Sequence, residues 1–294
     1  MKNIAIVTGA SSGIGLSFLK LIIEERGVYG GVPFDEIWAI ARRADKLNEI
    51  IDSLGDDRVI PVCCDLTDPE NLEELADMLD TEKPQVGLLV NCAGIGFRST
   101  VEEQSVKEIE DTLAINCTAL SKLTRICLPY MVEKGKFLSK ANGPRVINVA
   151  SSAGFLPQPG FAAYAASKSY VISFSRALAF ELLDYGICVT TVCPGPVKTE
   201  FQSKATGGAE TDFTGFRQYI VADPDKLAAA SLKASRSGRR LLVYGFAQKA
   251  LHLASKIVPK DLILYIEHRC MTGGASAGSS ESAPVPEVAR EEKS

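Results

Sequence analysis

Tyr164-Ala-Ala-Ser-Lys168 sets a phenol and an ammonium four residues apart, on one face of any helix that carries them. Most such pairs are neighbours on a solvated face and nothing more. The chemistry open to this one is proton transfer. A phenol with a pKa of about 10 gives up its proton too reluctantly near neutrality, and a nearby positive charge favours the phenolate. Ser151 stands thirteen positions before Tyr164, just past an apolar run. That is the carboxyl edge of a strand, where α/β sheets bind ligands.

A second group could hold phosphate. Thr8-Gly9-Ala10-Ser11-Ser12-Gly13-Ile14-Gly15 follows the first apolar run and opens a helix-periodic segment. Glycines there allow a tight turn and a close backbone approach to a pyrophosphate, and the helix N-terminus adds N–H groups and partial positive charge. Other chemistries fare poorly. The only histidines, His252 and His268, lie late in the chain. Neither suits a Ser-His-Asp hydrolase or has a Cys or His partner at metal spacing, so no metal site is expected and both are expected at the surface or in packing.

The elements that must position these groups follow from periodicity. Apolar runs at Ile4–Val7, Ile37–Ala41, Val59–Cys64, Val86–Val90, Val146–Val149, Ile187–Val192 and Leu241–Tyr244 alternate with helix-periodic segments. Strands this apolar are buried on both faces, and helical crossovers make them parallel. The expected fold is α/β, a doubly wound parallel sheet of about seven strands with helices on both faces. Asp68-Pro69 predicts a helix start, and Ser105-x-x-Glu108 has capping-box spacing before a long helix reaching about Met131. Gly186 is expected to close the helix that carries Tyr164 and Lys168.

The glycine spacing is G-x-x-x-G-x-G, not the G-x-G-x-x-G of ordinary dinucleotide folds, and it resembles the short-chain dehydrogenase/reductase family. Asn91-Cys92-Ala93-Gly94 is similar to that family's N-A-G motif, and Pro194-Gly195-Pro196-Val197-Lys198-Thr199 to its P-G-x-x-x-T segment beside the nicotinamide. Asn116, Ser151, Tyr164 and Lys168 match its Asn-Ser-Tyr-Lys tetrad in order and spacing. Ser152 competes for the serine role, but the S-x-x-G pattern ending at Gly154 favours Ser151.

The resemblance implies hydride transfer between a nicotinamide and a carbonyl or secondary alcohol. Tyr164 would hold or move the proton, with its pKa lowered by Lys168 and by the oxidised nicotinamide. Lys168 would also bond the ribose hydroxyls, Ser151 would hold the substrate oxygen, and Asn116 would anchor a water relaying protons from Lys168 to solvent. Asp65-Leu66 resembles the pair that contacts adenine. The second strand ends Ile40-Ala41-Arg42-Arg43 without the acid that NAD sites use for ribose hydroxyls. A guanidinium suits a 2′-phosphate, so NADP(H) is expected over NAD(H), with Arg42 the first candidate and Arg43 beside it. Direction cannot be read from the residues, although NADP(H) use favours reduction. An apolar ketone is the leaning, and a non-catalytic NADP(H)-binding sensor or scaffold is the alternative.

With 294 residues, 46% hydrophobic and 23% charged, the chain has room for one large domain, expected over 1–271. A net charge of −4 offers no field for nucleic acid. Eight cysteines without C-x-x-C spacing are expected to be buried reduced thiols. Met1-Lys2-Asn3 leads straight into a strand, and no stretch is long enough to span a bilayer, so a cytoplasmic protein is expected. A homodimer or homotetramer is the expected assembly. Gly27–Asp35 predicts a long glycine-rich loop. About 196–226 is expected to form a substrate lid, with Gly207, Gly208 and Gly215 as hinges and Phe201, Phe213, Phe216 and Tyr219 either walling the pocket or packing the lid. An extension over about 246–271 could cap the pocket, join a dimer or touch a membrane surface with its Lys and Arg residues. The Gly-, Ala-, Ser-, Pro- and Glu-rich tail, 272–294, is expected to be disordered.

Overall fold

The computed structural model describes residues 1–24, 33–132, 143–205 and 221–265. The apolar runs form seven strands among these residues: β1 (Asn3–Thr8), β2 (Glu36–Ala41), β3 (Val59–Cys63), β4 (Gln85–Asn91), β5 (Arg145–Val149), β6 (Cys188–Pro194) and β7 (Leu241–Tyr244). They make one parallel sheet in the order β3-β2-β1-β4-β5-β6-β7. The intervening helices are α1 (Gly13–Glu24), α2 (Ala44–Leu54), α3 (Pro69–Glu82), α4 (Val106–Leu113), α5 (Leu120–Met131), α6 (Ala162–Glu181), α7 (Glu200–Ala205), α8 (Pro224–Arg236) and α9 (Phe246–Ile257).

Strand parity divides the core between the two faces. Ala5, Val7, Ala39, Leu88 and Val90 meet Phe18, Leu19, Leu47, Leu227 and Leu232 of α1, α2 and α8. Ile4, Ile6, Trp38, Ile40, Val86 and Leu89 meet Leu72, Leu75, Leu123, Met131 and Leu178 of α3, α5 and α6. Burial on both faces is why these strands read as continuous apolar runs. The edge strand β3 departs from this, and its Cys63 is exposed, which corrects the expectation that all the thiols are buried.

The caps hold. Asp68 accepts from the Glu70 N–H with Pro69 in the first turn, and Ser105 and Glu108 make the reciprocal capping box. The long helix after that box is interrupted. Between α4 and α5 the chain takes a π turn, Ala114–Ala119, and Asn116 lies in it. α6 stops at Glu181, a turn before Gly186, whose φ of 69° ends the connecting loop instead of the helix.

The strand order reverses between β1 and β4, the switch point at which such sheets bind ligands beyond their carboxyl ends. Thr8 ties the two sides together there: its Oγ1 accepts from the Cys92 and Ala93 N–H groups at 2.9 and 3.0 Å. Most of the Gly27–Asp35 loop, the lid residues Gly207, Gly208, Phe213, Gly215, Phe216 and Tyr219, and His268, Arg269 and the tail lie outside the described residues.

Candidate active site

Two adjoining cavities of about 340 and 720 Å³ lie along the carboxyl edge of the sheet and share Gly9, Ser12, Ala93, Gly94 and Phe201 as wall. The glycine turn forms the floor of both. Gly9 takes φ 67°, in the left-handed region, and a Cβ on Gly15 would run into the Gly9 carbonyl oxygen. The turn is therefore closed to side chains where a pyrophosphate would need backbone. Gly13, Ile14 and Gly15 line the smaller cavity and Ser11 the larger, so the sequence-predicted loop residues come together.

Arg42 and Arg43 line the larger cavity together with Leu66. Arg42 Nη1 is 3.6 Å from Asp65 Oδ2, and Arg43 Nη2 is 3.5 Å from Glu200 Oε2. Lys46 also pairs with Glu200. Exposed pairs of this kind contribute no more than about 1 kcal/mol and can be exchanged for another anion. Asp65 sits outside the cavity wall. Burial works against its ionisation, yet hydrogen bonds from Thr67 and the Arg42 charge hold its carboxyl below the usual range. Its carboxylate braces a turn and orients Arg42.

The smaller cavity holds Ser151, Tyr164 and Lys168, each buried. Ser151 stands two residues past β5 in extended backbone, and its Oγ accepts from the Ala153 N–H at 3.1 Å. The following 3₁₀ turn, Ser152–Phe155, lies directly on α6 because Gly154 has no side chain; a Cβ there would be 2.7 Å from the Lys168 carbonyl carbon. Lys168 Nζ donates to the Val149 carbonyl at 3.1 Å and stands 5.6 Å from the centre of the Tyr164 ring.

Without the nicotinamide charge, burial dominates the electrostatics of the site. Burial pushes Tyr164 up to about 12, and a hydrogen bond with Ser151 offsets only part of this. Burial likewise pulls Lys168 down to about 8. Cys92 and Cys193 beside it are pushed up to about 12, so at neutral pH they are uncharged and lend the ammonium no support. Charge attraction alone omits the cost of desolvating both groups, and here that cost is larger.

Two asparagines are placed differently from one another. Asn116 Nδ2 donates to the Ile95 carbonyl at 2.8 Å and to Ser167 Oγ at 2.9 Å, while its Oδ1 accepts from the Ile95 N–H at 3.0 Å. Its side chain therefore pins the loop after β4 to α6. Asn91, a predicted cofactor contact, does not line either cavity. It shares the parity of Leu89 and turns to the α5–α6 face, where it donates to Thr124 Oγ1 and Asn148 Oδ1 at 3.0 and 2.8 Å. Ala93 and Gly94 of the same motif do reach the cleft, as do Pro194, Gly195, Val197 and Thr199.

Three wall residues escape motif reading. The Phe161 ring stacks on Tyr164 at 4.2 Å, Phe201 tilts against it at 5.5 Å, and a Cβ on Gly96 would be 2.5 Å from Tyr164 Cδ2. Phe201 was readable as a wall candidate; Phe161 and Gly96 carry no signal beyond their closeness in sequence to the tyrosine and the N-A-G motif. The His252 ring tilts against Phe155 with centroids 4.2 Å apart, a packing role. Among the described residues no three His, Cys, Asp or Glu side chains gather as a metal site.

Residues 3–209 match the family model described as short chain dehydrogenase. The chain is 32% identical to D-threitol dehydrogenase from Mycolicibacterium smegmatis over 236 residues, 78% of this chain and 84% of that protein. Its fold is similar to a serine dehydrogenase solved with NADP+, at TM-score 0.69 and 28% identity, covering 82% of this chain and 93% of that one. A short-chain dehydrogenase from Sphingobium yanoikuyae in complex with NADPH has the same fold, at TM-score 0.69 and 24% identity, covering 97% and 99%.

Proposed function

Because the chain belongs to the short-chain dehydrogenase/reductase family of oxidoreductases, we propose that it reduces a ketone on an apolar substrate with NADPH, through Ser151, Tyr164 and Lys168. The observation that carries this reading is their convergence in one buried cavity that adjoins the glycine turn. A nicotinamide supplies the hydride, and its oxidised form the positive charge. The residues present suit such a group: a side-chain-free turn for the pyrophosphate, Leu66 against the adenine, and Arg42 and Arg43 toward a 2′-phosphate. Solved structures of similar fold hold NADPH or NADP+, and one holds NADH.

Hydride addition to a carbonyl carbon leaves charge on its oxygen. Ser151 Oγ and the Tyr164 hydroxyl both face the cavity in which that oxygen would sit, and Tyr164 donates the proton. A phenol whose pKa stands near 12 is protonated and ready to donate, but it is a poor base for the reverse reaction. Lys168, held by the Val149 carbonyl 5.6 Å from the Tyr164 ring, would bond the ribose hydroxyls of a bound nicotinamide and return a proton to Tyr164. Asn116 has committed both amide hydrogens to Ile95 and Ser167, which leaves the backbone of its π turn to hold the relaying water. Phe161 and Phe201 supply the apolar wall.

The test is a panel of ketones and aldehydes with purified protein, followed by NADPH absorbance, with a Tyr164→Phe control. Turnover of an apolar ketone that vanishes in the control is the expected result. Tight NADPH binding without turnover of any carbonyl would overturn the proposal in favour of a sensor.

A further inference from the structure

α9 is built inside out. A surface helix normally turns its apolar stripe to the protein and its polar face to water. Here Gln248, His252 and Ser255, spaced i, i+4 and i+7, face inward. Gln248 is 7% exposed and lies against Gly195 and Gly245, while the His252 ring packs tilted against Phe155. Phe246, Leu253 and Ile257, spaced i, i+7 and i+11, face outward at 89%, 59% and 72% exposure. Leu262 continues the patch at 50%. α9 therefore does not cap the pocket with its apolar side; its polar side is fastened to the segments around the catalytic serine and the nicotinamide strand.

An outward apolar stripe of this size marks a contact surface, and its charges indicate the partner. Lys249 and Lys256 run along one border of the stripe, and Lys260 follows. Asp261 is the only acid between 246 and 265, in a chain whose net charge is −4. Among the described residues none of the three lysines is paired with a carboxylate. A second copy meeting this face antiparallel about a two-fold axis would set the two lysine borders side by side and offer them no carboxylates. An anionic bilayer surface takes both features at once: lipid tails receive Phe246, Leu253, Ile257 and Leu262, and headgroups receive the lysines.

We propose that α9 and the residues up to Leu262 are a membrane-surface anchor that lies in the headgroup plane of an anionic bilayer. Among the described residues no helix is long and apolar enough to cross a membrane, so the attachment is peripheral. The proposal concerns a surface away from the reacting atoms and stands whatever carbonyl the protein reduces.

Vesicle flotation of the full chain tests it, with phosphatidylcholine vesicles carrying or lacking phosphatidylglycerol. Binding is expected to the anionic vesicles and to weaken in high salt. Lys249→Gln, Lys256→Gln and Lys260→Gln should each lower affinity about fivefold. The triple variant Phe246→Ser, Leu253→Ser, Ile257→Ser should lower it by about a hundredfold or more while keeping the wild-type melting temperature, because these side chains are already exposed. Light scattering on both proteins completes the test and should give the same assembly. No flotation of the wild type, or equal flotation of the triple variant, would overturn the anchor. So would a triple variant that falls apart into smaller assemblies, since the stripe would then be a contact between copies.

Discussion

Adding one methyl group at Gly96 should disable Tyr164 without touching it chemically. A Cβ at this position would stand 2.5 Å from Tyr164 Cδ2, 3.0 Å from Cγ and 3.2 Å from Phe161 Cε2. Carbon atoms settle at about 3.5–4.0 Å, so the ring must retreat by roughly 1 Å. Its space is closed elsewhere, by Phe161 on one side and Phe201 on another. Overpacking of this kind costs about 1–3 kcal/mol of stability. A reacting group misplaced by about 1 Å can lose about a hundredfold in rate, or roughly 2.7 kcal/mol of barrier. The assay is steady-state kinetics of Gly96→Ala beside thermal melting and NADPH titration. We expect turnover to fall by about a hundredfold with cofactor affinity changed far less, and the melting temperature to drop by a few degrees. Turnover within about twofold of wild type at an unchanged melting temperature would refute the reasoning, because the ring would then not be seated against the loop.

Three further outcomes follow from the site. Arg42→Ala should cost roughly ten- to a hundredfold in NADPH affinity and leave NADH affinity nearly unchanged, as read by titration of both; equal affinity of the wild type for the two would end the assignment. Asn91→Ala should destabilise by about 1–3 kcal/mol in denaturant melts, since Asn148 Oδ1 loses its donor, and should leave NADPH affinity in place. Lys168 binds its proton less tightly folded, at about 8, than at its ordinary 10.5, so between those values the unfolded chain holds more protons and stability rises with pH. Melting curves across that window should show wild type gaining on Lys168→Met as pH climbs, and parallel curves would show that the ammonium is not buried.

Much of this was readable from residues because several signals agreed. The five inner strands stood out as continuous apolar runs since both faces of the sheet are covered there, and the helix starts at Asp68 and Ser105 carried their own caps. Ser151, Tyr164 and Lys168 were readable from spacing because a strand end and one helix turn fix their separation. Asn91 was misplaced because a motif match says nothing of strand parity; counting from Leu89 would have turned it to the α5–α6 face. The burial that raises the Tyr164 phenol without cofactor has no counterpart in the residue types, because charges can be counted along a sequence and burial cannot. The π turn at Asn116 carries no residue signature at all, being a change of hydrogen-bond partner within an otherwise helical run.

That π turn fits one residue more than an α-helical turn would into the same stretch of axis. The helix before it and the helix after it are thus out of phase by about 100°, one residue's rotation. Thr112 keeps its inward position on one side of the slip, and Leu123, Cys127 and Met131 keep theirs on the other. Length variation is therefore constrained here in an unusual way. Losing one residue between 114 and 119 would restore an unbroken helix with better local hydrogen bonding, yet it would rotate one flank's apolar stripe away from the sheet or carry Asn116 away from Ile95. Helices elsewhere in the chain can trade residues at their ends; this one must keep its register by count.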